Sequence, residues 1–314
     1  MAPRTPTTCA PGDRRLHWIR RIAVPALLAV YLVQAATAIR TKSATWDEAN
    51  YFGMGDYLLR NGRWDVPSSV LHPPLGFYLN GVPMLFASVD RSVWSYAREK
   101  RELPGFLGAA DENRGRALLA SAANRDDRLL LGARAESVML AALLGWFVYR
   151  MADAIYGGPA GVLALALFAF CPNMLAHGSL ITPDMTVTAC SFAAIYFLRQ
   201  ALVSGRPRDH LLAGVALGLA LLSKFTALLL LPVEAAILAA AYAQGKRPPL
   251  RWLATAAAAA VFVFLAGYRF NPSPYFEGIA IQQEHARHSA FLMGTISADG
   301  WWYYCLAAFG LKTP

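Results

Sequence analysis

Two adjacent carboxylates, Asp47 and Glu48, stand in TWDEANY at residues 45–51, shortly after a mostly apolar run at 22–40. An ionisable side chain this close to lipid is energetically unfavourable and is by default a candidate for function. Asp47 is predicted to take part in chemistry there, as a carboxylate that can accept a proton. Thr45 and Glu48 also have the spacing of a helix capping box. Both interpretations are compatible, because a cap that holds Glu48 fixes the backbone and leaves Asp47 for chemistry.

Lys224, in the sequence LLSKF, is the cation that a purely structural account explains least well. An ammonium group inside an apolar hairpin costs roughly 2.5–3.5 kcal/mol on the insertion scale, so a counter-charge or a phosphate is expected beside it. Arg134 and Arg269 lie at the ends of apolar runs and are predicted to join Lys224 around an anionic lipid head group. The structural alternatives are snorkelling of Lys224 to the membrane surface and interfacial positions for the two arginines.

Two more candidates stand beside prolines. In HPPLGFYL at 72–79 the prolines favour a helix that begins after Pro73, and His72 is predicted to donate a hydrogen bond at the site. Asp184 follows Pro183 and either caps a helix or serves as a partner of Asp47.

No cofactor and no metal site are predicted with certainty. The histidines of EHARH at 284–288 are the only spacing that suggests metal ligands, and ordinary loop residues are the favoured interpretation. A divalent cation is left open.

The elements that must position these side chains are membrane-spanning helices. Hydrophobic residues make up 56% of the 314 residues, against about 45–50% in soluble domains. Because a span needs about 20 apolar residues, we predict an all-α, polytopic helical bundle with seven complete transmembrane helices and the start of an eighth near residue 301. The seven spans are predicted at 22–40, 135–152, 159–176, 185–203, 211–222, 225–244 and 252–269, with a tight turn at Ser223 and Lys224.

Basic residues set the predicted orientation. The net charge is +9, but the arginines and lysines fall in short clusters between apolar runs, which argues against a nucleic-acid-binding protein. With the N-terminus inside, the clusters at 14–21, 199–208 and 246–251 all fall in short cytoplasmic segments, as the positive-inside rule requires. We therefore expect a multi-pass protein of a bacterial inner membrane whose site faces the exterior.

This orientation divides the chain into two parts. Residues 1–21 are predicted to be a disordered, basic cytoplasmic N-terminus, and residues 22–314 a transmembrane domain. The domain is expected to have a first outer loop at 41–133 with interfacial helices and another outer loop at 270–300. The last span is unfinished, which indicates a truncated chain, and a cleaved signal peptide at 14–38 is the alternative for the N-terminus.

In combination these segments resemble a C-class (GT-C) membrane glycosyltransferase of the protein-mannosyltransferase-like family 39, over nearly all of residues 20–314. The segments that carry the resemblance are WDEANY, HPPLGFYL, ARAESVMLAALLG, PNMLAHGSLITPDMT, GLALLSKFTALLLLP and GWWYYCLAAFGLKTP. The resemblance implies that Asp47 is the catalytic aspartate with Glu48 as its neighbour. It also implies that Arg134 and Lys224 meet a lipid phosphate, with His72, Asp184 and Arg269 as further binding residues.

The expected reaction transfers a sugar, mannose-like or another hexose or pentose, from a polyprenyl-phosphate carrier to an acceptor hydroxyl. It is an inverting single displacement with Asp47 as base, and the acceptor is a lipid, a glycan or a protein. One carboxylate suffices, because the phosphate leaves readily as an anion without a general acid. The alternative functions are a lipid or solute transporter and an inactive membrane scaffold.

Overall fold

The computed structural model describes residues 11–92, 109–124, 128–285 and 289–312, which are mostly helical. The helices are α1 (Pro11–Thr41), α2 (Trp46–Asn61), α3 (Pro67–Val70), α4 (Leu75–Leu85), α5 (Ala109–Ala120), α6 (Arg128–Tyr156), α7 (Gly158–Ala169), α8 (Pro172–His177), α9 (Pro183–Ser204), α10 (Pro207–Leu221), α11 (Leu230–Ala243), α12 (Leu250–Gly267), α13 (Ser273–His285) and α14 (Tyr304–Lys312). Short 3₁₀ turns cover Ala122–Asn124 and Phe225–Leu229. Strands β1 (Ala290–Leu292) and β2 (Thr295–Ser297) form an antiparallel hairpin with Ala290 opposite Ser297.

The prediction of an all-α polytopic membrane protein is confirmed. Within the described ranges, five helical segments are long and apolar enough to cross a membrane: Arg20–Thr41 of α1, α6, α9, Phe225–Ala243 and α12. The predicted number of seven complete spans is not confirmed. The predicted third span, at 159–176, is split into α7 of 12 residues and α8 of 6 residues, because Pro172 has no N–H to continue the first helix and starts a new one.

The tight turn predicted at Ser223 and Lys224 is confirmed. Helix α10 ends at Leu221, and the next turn begins at Phe225. The Leu222 carbonyl, freed at the end of α10, accepts a hydrogen bond from the Leu75 N–H at 2.9 Å. This bond joins the start of α4 to the hairpin that carries Lys224.

Two predicted boundaries differ from the structure. Helix α1 begins at Pro11, so residues 11–21 are helical and not disordered; its polar first turns contain no residue that stops a helix after Pro11 and Gly12. Helix α6 begins at Arg128, within the predicted first outer loop at 41–133, because the arginine-containing turns before the apolar run continue the same helix. Residues 1–10 and much of the predicted interfacial region, at 93–108, lie outside the described residues.

The bundle has two chemically different ends. At one end Arg20 of α1 donates to Asp153 Oδ1 of α6 at 2.7 Å, and Arg199 of α9 donates to the Ala154 carbonyl at 3.2 Å. At the other end lie the C-terminus of α1, the N-termini of α6 and α9 and the Lys224 hairpin. The candidate residues Asp47, Asp184 and Lys224 therefore lie far from the arginine-rich end.

Helix α2 lies against α4 through two glycines. The core there contains the buried side chains Phe52, Leu58 and Phe77. A Cβ atom at Gly81 would lie 2.6 Å from the Gly55 carbonyl oxygen, and one at Gly55 would lie 2.6 Å from the Phe77 carbonyl oxygen. Because backbone atoms cannot yield as a flexible side chain does, this contact requires glycine at both positions and fixes the distance between α2 and α4.

We therefore expect Gly81→Ala to lower stability by about 1–3 kcal/mol, the usual cost of overpacking. Gly76→Ala on the same helix is the matched control, because its Cβ would meet nothing closer than 3.7 Å. The measurement is the thermal unfolding midpoint of each purified variant. Equal midpoints for the two variants would show that α2 and α4 do not pack as described.

Candidate active site

Helix α2 begins with the predicted capping box, which the structure confirms. Thr45 is extended, with φ −82° and ψ 168°, and Trp46 is the first helical residue. The Thr45 N–H donates to Glu48 Oε2 at 2.8 Å, and the Thr45 hydroxyl donates to the same oxygen at 3.1 Å. The cap fixes the backbone at the N-terminus of α2, where Asp47 follows Trp46.

Glu48 also forms a buried ion pair with Arg134 of α6, in which both side chains are fully buried. Arg134 Nε donates to Glu48 Oε1 at 2.7 Å, and Nη2 donates to Oε2 at 2.7 Å. The other guanidinium bonds go to the carbonyls of Ile39, Lys42 and Ser43, at 3.0, 2.7 and 2.8 Å. A guanidinium has five N–H donors, and these five bonds use all of them.

This geometry bears on the roles predicted for Arg134 and Glu48. With its donors all bound to protein acceptors, Arg134 has no N–H left for a lipid phosphate in this structure. Burial alone would raise the pKa of Glu48, but the bonds from Arg134, Thr45 and the Ile181 N–H outweigh it and hold the pKa below its ordinary value. Glu48 is thus a fully bonded carboxylate away from solvent, and its position fits support of the site rather than proton transfer.

Asp47 has the opposite environment, because its side chain is exposed. It lies on the same face of α2 as Tyr51, four residues on, whose ring lies 5.7 Å from the His72 ring and 5.5 Å from that of Phe77. Burial raises the pKa of Tyr51, and the charges of Asp47 and Asp184 raise it further. Both carboxylates are therefore within electrostatic reach of one phenol.

Lys224 and Asp184 form an ion pair, with Nζ donating to Oδ1 at 2.7 Å. Their side chains are 28% and 42% exposed, so solvent and ligands can reach both of them. His72 lies close by: its burial and the positive charge of Lys224 lower its pKa to about 4, against a smaller opposing effect of Asp184. His72 is therefore neutral at pH 7, with one ring nitrogen as a donor and the other as an acceptor.

Three backbone contacts bring these side chains to one place. The Ile181 N–H donates to Glu48 Oε1 at 3.1 Å, which ties the segment before α9 to the start of α2. A Cβ at Gly76 would lie 3.7 Å from Pro183, so the starts of α4 and α9 are in contact. The bond between Leu75 and Leu222 adds the Lys224 hairpin.

The structure does not bring Arg269 to this group. Its Nη2 donates to the Leu58 carbonyl at 3.4 Å, and its guanidinium lies against Gly62 at the C-terminus of α2. At a helical rise of about 1.5 Å per residue, Leu58 is about 16 Å along α2 from Asp47. Arg269 has a left-handed backbone conformation, with φ 51°, and its contacts favour a structural role at that end of α2.

Three polar residues near this group are not among the sequence candidates. Tyr51 could have been found, because the capping box predicts a helix that puts it one turn after Asp47. Asn50 Oδ1 and Thr182 Oγ1 are buried without a hydrogen-bond partner, as is Nδ1 of His72. Buried polar atoms normally find partners, and nothing in the sequence indicates which of them lack one.

Among the residues that the structure describes, no group of three or more His, Cys, Asp or Glu side chains is placed to hold a metal ion. In the segment EHARH, residues 286–288 and the side chains at 284 and 285 lie outside the described part of the chain.

Residues 127–267 match the family model described as dolichyl-phosphate-mannose-protein mannosyltransferase. The matched range contains Arg134, Asp184 and Lys224 and ends before Arg269, while α2 with Asp47 lies outside it. No curated protein and no solved structure matches the chain. This part of the chain, less than half of its length, is thus similar to a GT-C-like mannosyltransferase family, and the five apolar helices fit a multi-pass membrane protein.

The two adjacent carboxylates should respond differently to the same chemical change. We expect Glu48→Gln to destabilise the protein by about 3–5 kcal/mol, because it leaves the buried Arg134 charge without its counter-ion. Asp47→Asn makes the matched change at an exposed position and should cost less than about 1 kcal/mol. Thermal unfolding midpoints of the two variants measure the difference. Equal losses would contradict the separate environments described above.

Proposed function

We propose that this protein transfers a sugar from a polyprenyl-phosphate carrier to an acceptor hydroxyl on the extracytoplasmic side of the membrane, with Asp47 as the general base. The observation that carries the proposal is the exposed carboxylate of Asp47 at the fixed start of α2, which acts electrostatically on the same Tyr51 phenol as Asp184, the partner of the accessible Lys224. A base beside a cation is what this reaction needs, and the family match supports the class of donor.

The proposed reaction is a single displacement. Asp47 accepts the proton of the acceptor hydroxyl while the hydroxyl oxygen forms a bond to the anomeric carbon of the sugar. The bond between that carbon and the phosphate oxygen breaks at the opposite face, and its electron pair leaves with the phosphate. The anomeric configuration is inverted, and no general acid is needed because the leaving phosphate is already a weak base.

Lys224 is the group proposed to meet the phosphate. Its ammonium has three N–H donors, and one of them is bound to Asp184. A charge-assisted bond from Lys224 would stabilise the negative charge that grows on the phosphate as the glycosidic bond breaks. Arg134, which the resemblance would place at the phosphate, is proposed instead to hold the scaffold.

Three buried polar atoms on the segments that carry these residues are suited to sugar hydroxyls. His72 Nδ1, Asn50 Oδ1 and Thr182 Oγ1 have no hydrogen-bond partner within the described residues. A hydroxyl group both donates and accepts hydrogen bonds, so it can satisfy a neutral imidazole and an amide oxygen alike. A sugar ring carries several such groups, which makes it a better match for these atoms than an apolar ligand.

The charge distribution supports a site on the exterior side of the membrane. Arg20, Arg150 and Arg199 lie towards the end of the bundle remote from Asp47. Because basic residues near the ends of spans favour the cytoplasm, the site is proposed to face the exterior, the periplasm in a bacterium with two membranes. The acceptor is a lipid, a glycan or a protein.

The reaction itself is tested by incorporation of radiolabelled sugar from a synthetic polyprenyl-phosphate donor in membranes that contain the protein. Label in an acceptor fraction is expected. A transporter would move the donor between leaflets without forming a glycosylated product, and an inactive scaffold would do neither.

For Asp47→Asn we expect the transfer rate to fall roughly 10²- to 10⁴-fold, the usual contribution of a positioned base. Insertion and thermal stability should stay close to those of the parent protein. Glu277→Gln, which changes an exposed carboxylate on α13, serves as the control and should keep full activity. Near-normal turnover by Asp47→Asn would show that another group takes the proton.

For Lys224→Gln we expect the KM for the polyprenyl-phosphate donor to rise about tenfold or more, since a bond to a charged group contributes about 1.5–3 kcal/mol. Lys246→Gln removes the same charge from an exposed lysine in the loop after α11 and should leave the KM unchanged. An unaltered KM in Lys224→Gln would show that this lysine pairs with Asp184 but does not bind the donor.

A further inference from the structure

A second polar site lies at the end of the bundle remote from Asp47. A cavity of about 280 Å³ opens between α1 and α6 and is lined by Arg20, Arg21, Val24, Pro25 and Tyr149. From Arg21 to the end of α1 at Thr41, the helix is about 30 Å long at its usual rise. The cavity is therefore separated from the candidate active site by the thickness of a membrane core.

The polar wall of this cavity is held in place by contacts among three helices. Arg20 Nη2 donates to the Tyr149 hydroxyl at 3.0 Å and to Asp153 Oδ1 at 2.7 Å. At the start of α7, a Cβ at Gly158 would lie 2.6 Å from Arg20 Cδ, so the α7 backbone packs directly on the arginine stem. The guanidinium of Arg20 is thus presented in a defined orientation.

The charge of the cavity favours an anion. Its lining contains two arginines and no carboxylate, and the nearby Asp153 is paired with Arg20. Among the described residues, the cavity wall and its bonded neighbour Asp153 therefore combine two arginines with one carboxylate.

The apolar wall that Val24 and Pro25 form favours a lipid over a soluble anion. These apolar residues lie one turn further into the span of α1, which begins at Arg20. The cavity therefore offers cations and a phenol at the level of the membrane surface, and apolar carbon just inside it. A phospholipid has the same arrangement, with a charged phosphate above its acyl chains.

We propose that the cavity between α1 and α6 binds the head group of an anionic phospholipid, with the phosphate at Arg20 and Arg21 and the first acyl carbons against Val24 and Pro25. This site is separate from the proposed transfer chemistry and does not depend on it. A lipid bound there would bridge the two helices that carry the Arg20 and Asp153 pair.

The experiment measures binding of phosphatidylglycerol to the full chain by native mass spectrometry, with phosphatidylcholine as the comparison lipid. The parent protein should retain phosphatidylglycerol preferentially. Arg21→Gln should weaken this retention about fivefold, since one basic residue at a charged membrane surface is worth about that factor. Arg251→Gln, which removes a charge from an exposed arginine on α12 outside the cavity, should leave retention unchanged.

Three outcomes would overturn the proposal. Equal retention of phosphatidylcholine would show that the phosphate charge is not recognised. An equal loss in Arg251→Gln would assign the effect to diffuse surface charge. Displacement of the lipid by millimolar inorganic phosphate would identify a soluble-anion site in place of a lipid site.

Discussion

The buried pair of Glu48 and Arg134 is the interaction on which the architecture of the site depends. Through Arg134 it joins α6 to the carbonyls of Ile39, Lys42 and Ser43 at the end of α1, and through Glu48 it joins the start of α2 to Ile181 before α9. A buried ion pair gives stability only when nearly all of its polar atoms are bonded, and the five bonds of the guanidinium meet that condition. The cross-link holds four chain segments in one arrangement and sets where Asp47 emerges.

The second ion pair, between Lys224 and Asp184, differs in energy and therefore in what it can do. Both partners are partly exposed, and exposed pairs contribute about 0–1 kcal/mol. A pair this weak can exchange a partner at little cost, so Lys224 can turn from Asp184 to a phosphate. The fully buried Arg134 cannot make the same exchange, because moving it would leave Glu48 charged and unpaired. The structure thus contains one cation, Arg134, that is fixed in the scaffold and another, Lys224, that is accessible to a ligand.

The sequence predicted the local features of this site better than its assembly. The capping box, the helix after the two prolines and the turn at Ser223 and Lys224 depend on short-range rules of helix start and stop, and all three are confirmed. Hydropathy alone did not reveal that Pro172 divides the third predicted span, nor that α6 begins at Arg128. The role of Arg134 required tertiary structure, since nothing in the sequence shows that its donors meet carbonyls some 90 residues earlier in the chain. The environment of Arg269 at the far end of α2 could not be predicted from the sequence for the same reason.

The proposed chemistry also explains why one exposed carboxylate and one accessible cation are sufficient. Before transfer, the phosphodiester of the donor and the carboxylate of Asp47 each carry one negative charge. As the sugar leaves, the phosphate gains a second negative charge while Asp47 loses its own by taking the acceptor proton. The local sum of charge is therefore unchanged, and Lys224 has only to stabilise a charge that moves from one side of the sugar to the other. Because interactions between charges strengthen where water is scarce, such a transfer at the edge of a membrane avoids the large penalty that a net new charge would incur.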